Sequence, residues 1–268
     1  MKNRPRTTIV RLLFTHVLPP LVLLAIVLLA WQAIVVAFDI KPYLIPKPLE
    51  VWHAAGEHAS DLLSAAKLTA AGALCGFAAS LVTGIMVSLV FAQSKIIERS
   101  AYPYAVFLQT VPIVAIAPIV INLFGAGFLS VVVVAFIISL FPIITNTTAG
   151  LTTVNAALLE LFAMYNASRW QQLWRLRLPS AVPYVVTGAK ISCGLSLIGA
   201  IVGEFSAGFG TNSFGLGYLI IQSSSQLKID NLFAAVLCSA LLGVMIFGLV
   251  SVIGATILAW WHIDASKH

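Results

Sequence analysis

Apolar runs without charge recur along this chain at lengths that suit a bilayer, and short polar stretches separate them. A spanning helix needs about 20 predominantly apolar residues. Val17–Phe38 carries no charge and predicts a first span, with Pro19 and Pro20 falling in its first turn, where proline is tolerated. Asp39–Asp61 is polar and holds Lys41-Pro42 and Lys47-Pro48, so residues 39–66 read as a connecting segment. A second helix is predicted over about Leu68–Ala92, followed by a polar loop with Lys95, Glu98 and Arg99. The 60 residues Ser100–Leu159 then contain no Asp, Glu, Lys, Arg or His. That is too long for one span, so Asn122–Ser130, with Gly125 and Gly127, is expected to reverse the chain between helices three and four. Thr152–Ser180 is a long polar segment. Helix five is predicted over Val182–Phe205 and helix six over Leu232–Trp260, with a Gly-rich stretch, Gly208–Gly217, and a polar one, Gln222–Asn231, between them. The pattern is that of an all-α membrane protein with six transmembrane helices.

Composition agrees. Of 268 residues, 60% are hydrophobic and 9% charged, against about a quarter charged in a soluble domain. Such a chain cannot cover a water-facing surface. The net charge of +6 does not point to nucleic acid, because the basic residues are few and scattered. Their distribution sets orientation instead. Ten lie on one side: Lys2, Arg4, Arg6 and Arg11, the Lys95/Arg99 loop, Arg169, Arg175, Arg177 and Lys267. The opposite loops hold Lys41, Lys47, Lys67 and Lys228, and Lys190 lies near the inner end of helix five. Both termini are therefore expected in the cytoplasm: residues 1–16 as a tail, 17–38 as the first span, 39–66 as periplasmic, 67–260 as the main membrane domain with a cytoplasmic loop at 152–180, and 261–268 as a second tail. Cys75, Cys193 and Cys238 sit in apolar runs and read as small buried residues rather than a disulfide or metal set.

Small residues recur at close-packing spacing. Gly72, Gly76, Ser80, Gly84 and Ser88 fall every four positions in helix two, and Ser192, Ser196, Gly199 and Gly203 share one face of helix five. Small side chains let membrane helices approach closely. The second face could equally line a solute path, since Glu204 lies beside it.

No catalytic constellation is visible, and no phosphate-binding loop that would let the chain bind ATP itself. No enzyme activity, cofactor or metal is expected. His53, Glu57, His58 and Asp61 fit a solvated amphipathic helix beside Trp52 better than a metal site. Glu204 is the one carboxylate placed within a span, and an intramembrane ionisable residue is a functional candidate; near the outer end of helix five it fits a solvated or loop-pairing role equally well. Helix three carries Pro103, Pro112 and Pro118 with Gln109 and Thr110; helix four carries Ser139, Phe141, Pro142 and Asn146. Proline frees backbone carbonyls, which are tolerated at depth only where protein or a water-lined cavity satisfies them. Gln109, Thr110, Ser139, Phe141, Asn146, Ser192, Ser196 and Glu204 are therefore the candidates for a translocation path.

The segment Glu160–Pro179 resembles the cytoplasmic loop of binding-protein-dependent ABC permeases, the Glu-Ala-Ala…Gly…Leu-Pro motif. Glu160 stands at its glutamate, Ala167, Ser168, Arg169 and Trp170 at the stretch after its glycine, and Leu178 and Pro179 at its end. The spacing is kept, while Leu161 and Phe162 replace the family's two alanines and Asn166 its glycine. Pro42-Tyr-Leu-Ile-Pro-Lys-Pro, Gln109-Thr-Val-Pro-Ile-Val-Ala-Ile-Ala-Pro and Gly215-Leu-Gly-Tyr-Leu-Ile look like the branch serving nitrate, sulfonates, taurine and pyrimidine- or riboflavin-type nutrients.

The resemblance covers nearly the whole chain. It implies a type I importer fold, a second permease chain (an identical one), two cytoplasmic ATP-binding subunits, a periplasmic or lipid-anchored substrate-binding protein, and a bacterial inner-membrane location. It also implies that the loop is a coupling helix seated in a cleft of the ATPase. The loop's composition fits, because Trp170, Leu173, Trp174 and Arg177 supply residue types enriched in protein interfaces. The competing reading is that this polar segment, with Arg169, Arg175 and Arg177 between apolar spans, lies on anionic lipid headgroups. Asn166 stands either in a turn with φ > 0 or at the cap of a following helix beginning near Ala167. The alternative function is an ion-coupled secondary transporter, which usually needs titratable groups near midplane and often shows inverted repeats.

Overall fold

The computed structural model describes residues 18–207 and 214–265; within these, the side chains of Lys95, Glu98, Ala101, Tyr102, Ala105, Leu108, Gln109 and 262–265 lie outside the description. Helices α1 (Leu18–Ala37), α2 (Pro48–Glu57), α3 (Ala59–Gln93), α4 (Lys95–Thr110), α5 (Ile113–Phe124) and α6 (Phe128–Thr152) make the first half. Helices α7 (Ala156–Met164) and α8 (Arg169–Gln172), a π-helical turn (Leu173–Arg177), α9 (Leu178–Ala207), α10 (Leu216–Ser225) and α11 (Ile229–Ala265) follow. Among the described residues, five helical runs are long and apolar enough to cross a membrane: α1, α3, α6, the run Arg169–Ala207, and Ile229–Trp261. The shorter α5 is a sixth apolar helix. This is the six-helix membrane fold expected from the pattern.

The third span is not one helix. Val111 has ψ 127° and Pro112 ψ 118°, both extended, between α4 and α5. The ring of Pro112 disfavours a helical Val111, so the helix stops before it and restarts after it. Gly125, at φ 84°, closes α5 with its N–H on Ile121 O at 2.8 Å, and Gly127 opens α6. The expected reversal is here.

The chain divides into two compact parts: residues up to Ala59 with Gln222–Ala234, and Ser60–Ile221 with Ala235 onward. In the first, α1 buries Val35, and Trp31 lies against Phe233 with ring centroids 5.6 Å apart. Helix α2 starts at Pro48, and Glu50 accepts the Lys47 N–H at 2.8 Å, closing its first turn.

In the second part α6 is the central helix, with α3 and α9 against it. A Cβ on Gly76 would stand 2.6 Å from Ala135 Cβ, and one on Gly199 would stand 2.8 Å from Ala135 Cα. Ala135 is thus pinched between two glycines, and both small-residue faces are closed on α6. Hydroxyls add polar ties: Ser139 Oγ lies 2.9 Å from Ser80 Oγ, and Ser192 Oγ donates to Ser139 O at 2.7 Å. Farther along, Ser88 Oγ donates to Ile144 O at 3.1 Å. With no water to compete, helix-to-helix hydroxyl bonds of this kind contribute about 1 kcal/mol each.

Several boundaries differ from the sequence reading. Helix α3 begins at Ala59, well inside the segment assigned to the periplasm, because its polar first turns continue the helix beyond the bilayer. At about 1.5 Å per residue its 35 residues exceed the roughly 30 Å hydrocarbon thickness. Helix α10 occupies a stretch read as loop. Cys193 is buried as expected, whereas Cys75 is exposed and Cys238 half-buried.

Candidate functional site: the Asn155–Arg177 loop

Between α6 and α9 the chain leaves the bundle as two short helices joined by a tight turn. Asn155 caps α7, its Oδ1 accepting the Ala157 N–H at 2.9 Å. The helix ends on Asn166, which has φ 51°. Its N–H donates to Ala163 O, and the Ala167 N–H donates to Phe162 O, each at 3.0 Å. This pair of bonds is the Schellman closure, in which the left-handed residue is usually glycine and sometimes asparagine. The departure from the glycine of the motif therefore falls on the residue best able to replace it. Asn166 does not cap the next helix: Ser168 does. Ser168 Oγ accepts the Gln171 N–H at 3.3 Å, and Gln171 Oε1 accepts the Ser168 N–H at 2.8 Å.

After α8 the helix widens for five residues, the Leu178 N–H reaching back to Leu173 O. Pro179 has no N–H for the carbonyl four residues earlier and its ring crowds it, which accounts for the wider turn. The run is helical from Arg169 to Ala207, so Leu178 and Pro179 lie within a helix and do not end a loop. Leu173 packs with Leu151 and Ala181, and Leu89 and Leu178 lie against them, anchoring the returning chain to the ends of α3 and α6.

Large aromatic side chains stay outside, beside exposed Arg169, Gln171 and Arg175. Tyr165 is 80% exposed, Trp170 66% and Trp174 65%. Glu160 is exposed on α7 and, among the described residues, makes no ion pair or hydrogen bond. Two residues assigned to this surface belong elsewhere: Leu173 is buried, and Arg177 is half-buried with Nη1 on Ala92 O at 3.4 Å. Tyr165 was not singled out from the sequence, although its place beside the turn residue was a usable signal.

The family model for the inner membrane component of binding-protein-dependent transport systems matches residues 80–261. The chain belongs to this permease family. A formylaminopyrimidine transport permease of Halalkalibacterium halodurans is 34% identical over 82% of this chain and 87% of its own length. The riboflavin transport system permease of Chloroflexus aurantiacus is 31% identical over 89% of this chain and 88% of its own. A putative aliphatic sulfonates transport permease of Bacillus subtilis is 26% identical over 90% and 86%. As a permease of this family the chain has the type I fold, and the loop lies within the matched region.

The path candidates separate in space. Thr110 and Phe141 line a cavity of about 360 Å³ at the break between α4 and α5, with Pro112, Ile116, Ile138 and Leu195. Gln109 adjoins it in sequence, but its side chain is outside the description. Asn146 is half-buried, with Nδ2 on Pro142 O at 2.8 Å. Ser139, Ser192 and Ser196 have essentially no exposed surface and hold helices together or bond within their own helix.

Glu204 is 4% exposed. Its Oε2 accepts the Thr69 hydroxyl at 3.0 Å and the Gly217 N–H at 2.8 Å, while Thr69 Oγ1 accepts the Leu216 N–H at 2.9 Å. The carboxylate thus serves the N-terminal amides of α10, where negative charge is favoured. Thr69 continues the small-residue face of α3 one turn before Gly72, a signal the sequence carried.

Proposed function

We propose that this permease is the membrane-spanning subunit of an ATP-driven importer, taking a small solute from an extracytoplasmic binding protein into the cytoplasm. The observation that carries this is the Asn155–Arg177 loop: two short helices set at a fixed angle by the Asn166 turn, anchored through Leu173, with Glu160, Tyr165, Trp170 and Trp174 presented outward. A rigid element with an exposed aromatic face and an unpaired carboxylate suits a protein partner that must move the spans to which it is tied. The partners are two ATP-binding subunits on that face and a second permease chain, an identical copy. Both termini lie on the side of the loop, in the cytoplasm.

The solute path runs past Thr110 and Phe141, where the broken third span opens a cavity. Midplane carboxylates that would serve ion coupling are not among the cavity residues, and Glu204 is engaged with Thr69 and Gly217.

Reconstitution in proteoliposomes with the co-encoded ATPase and binding protein tests the reading. Uptake should require all three components and ATP. Uptake by the permease alone under a proton or sodium gradient would overturn it. Glu160→Lys should leave the permease inserted and weaken ATPase co-purification; unchanged complex yield and unchanged transport would show Glu160 to be merely solvated.

A further inference from the structure

Behind the exposed face of the loop lies a second cavity, of about 510 Å³, where α3 and α6 end. Arg169 and Arg177 line it with Gln172 and Gln93, and Phe91 and Leu173 form part of its apolar wall. Arg177 spends one N–H on Ala92 O at 3.4 Å. Arg169 makes no side-chain hydrogen bond or ion pair among the described residues, and the one ion pair found there joins Lys41 to Asp39, just after α1. Among the described residues, no acidic side chain lines the cavity. Two guanidinium groups therefore line one polar space, with no countercharge among the described residues, and an anion entering it would be attracted by both.

We propose that this cavity binds the phosphate of an anionic phospholipid headgroup. The guanidinium fork matches phosphate oxygens two at a time, and the two glutamine amides add neutral donors. The apolar wall favours lipid over a carboxylate of a protein partner. Phe91 belongs to the last turn of a spanning helix, so the cavity sits at the boundary where hydrocarbon gives way to headgroups. Basic pockets between helix ends at this level suit anionic headgroups. Tyr165, Trp170 and Trp174 of the outward face do not line it, whereas Arg169, which the motif sets in the docking stretch, does, so lipid binding and ATPase docking are separated by experiment. A bound headgroup would tie the start of α8 to the end of α3 and hold the loop against the membrane.

The test uses the purified full-length permease in a neutral detergent and follows its thermal unfolding midpoint. Short-chain phosphatidylglycerol, short-chain phosphatidylcholine and inorganic phosphate are titrated separately. Phosphatidylglycerol should raise the midpoint saturably, with little response to the other two. Arg169→Gln should raise the half-saturating lipid concentration at least tenfold, and among the described residues it breaks no hydrogen bond or ion pair. Arg177→Lys, which keeps a charge and a donor near Ala92 O, should raise it less. Arg175→Gln removes an exposed charge of the same turn that does not line the cavity, and should leave saturation unchanged. Equal loss in Arg175→Gln would show general attraction to the basic segment and overturn the site. An equal response to phosphatidylcholine, or saturation by inorganic phosphate at the same concentration, would overturn the lipid assignment. So would unchanged lipid saturation in Arg169→Gln together with lost ATPase co-purification, which would give the cavity to an acidic residue of that subunit.

Discussion

Thr69 and Glu204, 135 residues apart, share a hydrogen bond of 3.0 Å inside the bundle, and between them they hold the first two amides of α10. Both are buried. A Cβ on Gly215 would overlap the Glu204 carboxylate.

That contact predicts coupling between two substitutions. Glu204→Ala strands the Gly217 amide, at a cost of about 1–3 kcal/mol, while the Thr69 hydroxyl can still donate to Ala65 O at 3.0 Å. Gly215→Ala should be comparably harmful in the native background, yet add little to Glu204→Ala, because the group it collides with is gone. Unfolding midpoints of the two single variants and the double variant measure this. Additive losses would show that Gly215 is needed for its backbone alone.

The turn at Asn166 predicts an order among three variants. Asn166→Gly should keep substrate-stimulated ATP hydrolysis of the reconstituted complex, since glycine reaches φ > 0 freely. Asn166→Val should sharply reduce it, a β-branched residue being an outlier there, with a cost of about 1–3 kcal/mol. Asn166→Ala should fall between. A valine variant as active as the native chain would mean that the turn does not persist in the complex.

Ala135 supplies a packing test. Gly76→Val or Gly199→Val inserts bulk where backbone atoms of α6 already stand within 3 Å of the position a Cβ would take. Overpacking of that kind costs about 1–3 kcal/mol or more. Both variants should lower the unfolding midpoint and the yield of inserted protein, whereas Gly248→Val, with open space beside it, should do neither.

The proposed orientation is checked by labelling with an impermeant thiol reagent. Single cysteines at Glu57 and Ser224 should react in intact cells, and one at Ser168 only after permeabilisation. Glu57 and Ser224 are exposed and Ser168 is adjacent to exposed Arg169, so access is decided by the membrane. Cys75, being exposed, must first be replaced. Labelling of Ser168 in intact cells reverses the topology.

The spans were legible in the sequence because a bilayer imposes a length and forbids charge, and both constraints act on contiguous residues. Val17–Phe38, the uncharged 60 residues and the Gly125/Gly127 reversal were readable for that reason. At Asn166 the motif's glycine suggested a left-handed turn while a helix cap stayed open, and the backbone decides for the turn. What the hydroxyls and the carboxylate do was not. Ser139, Ser192 and Glu204 look alike in a linear reading, as polar residues in apolar helices, and each could face a path or a neighbour. Only the rotation of each helix about its axis decides which, and that rotation is set by contacts such as Gly76 and Gly199 on Ala135, made between segments far apart in the chain. The same holds for Arg169 and Arg177: their charge is read from the sequence, but their meeting at one cavity depends on where α8 packs against the end of α3.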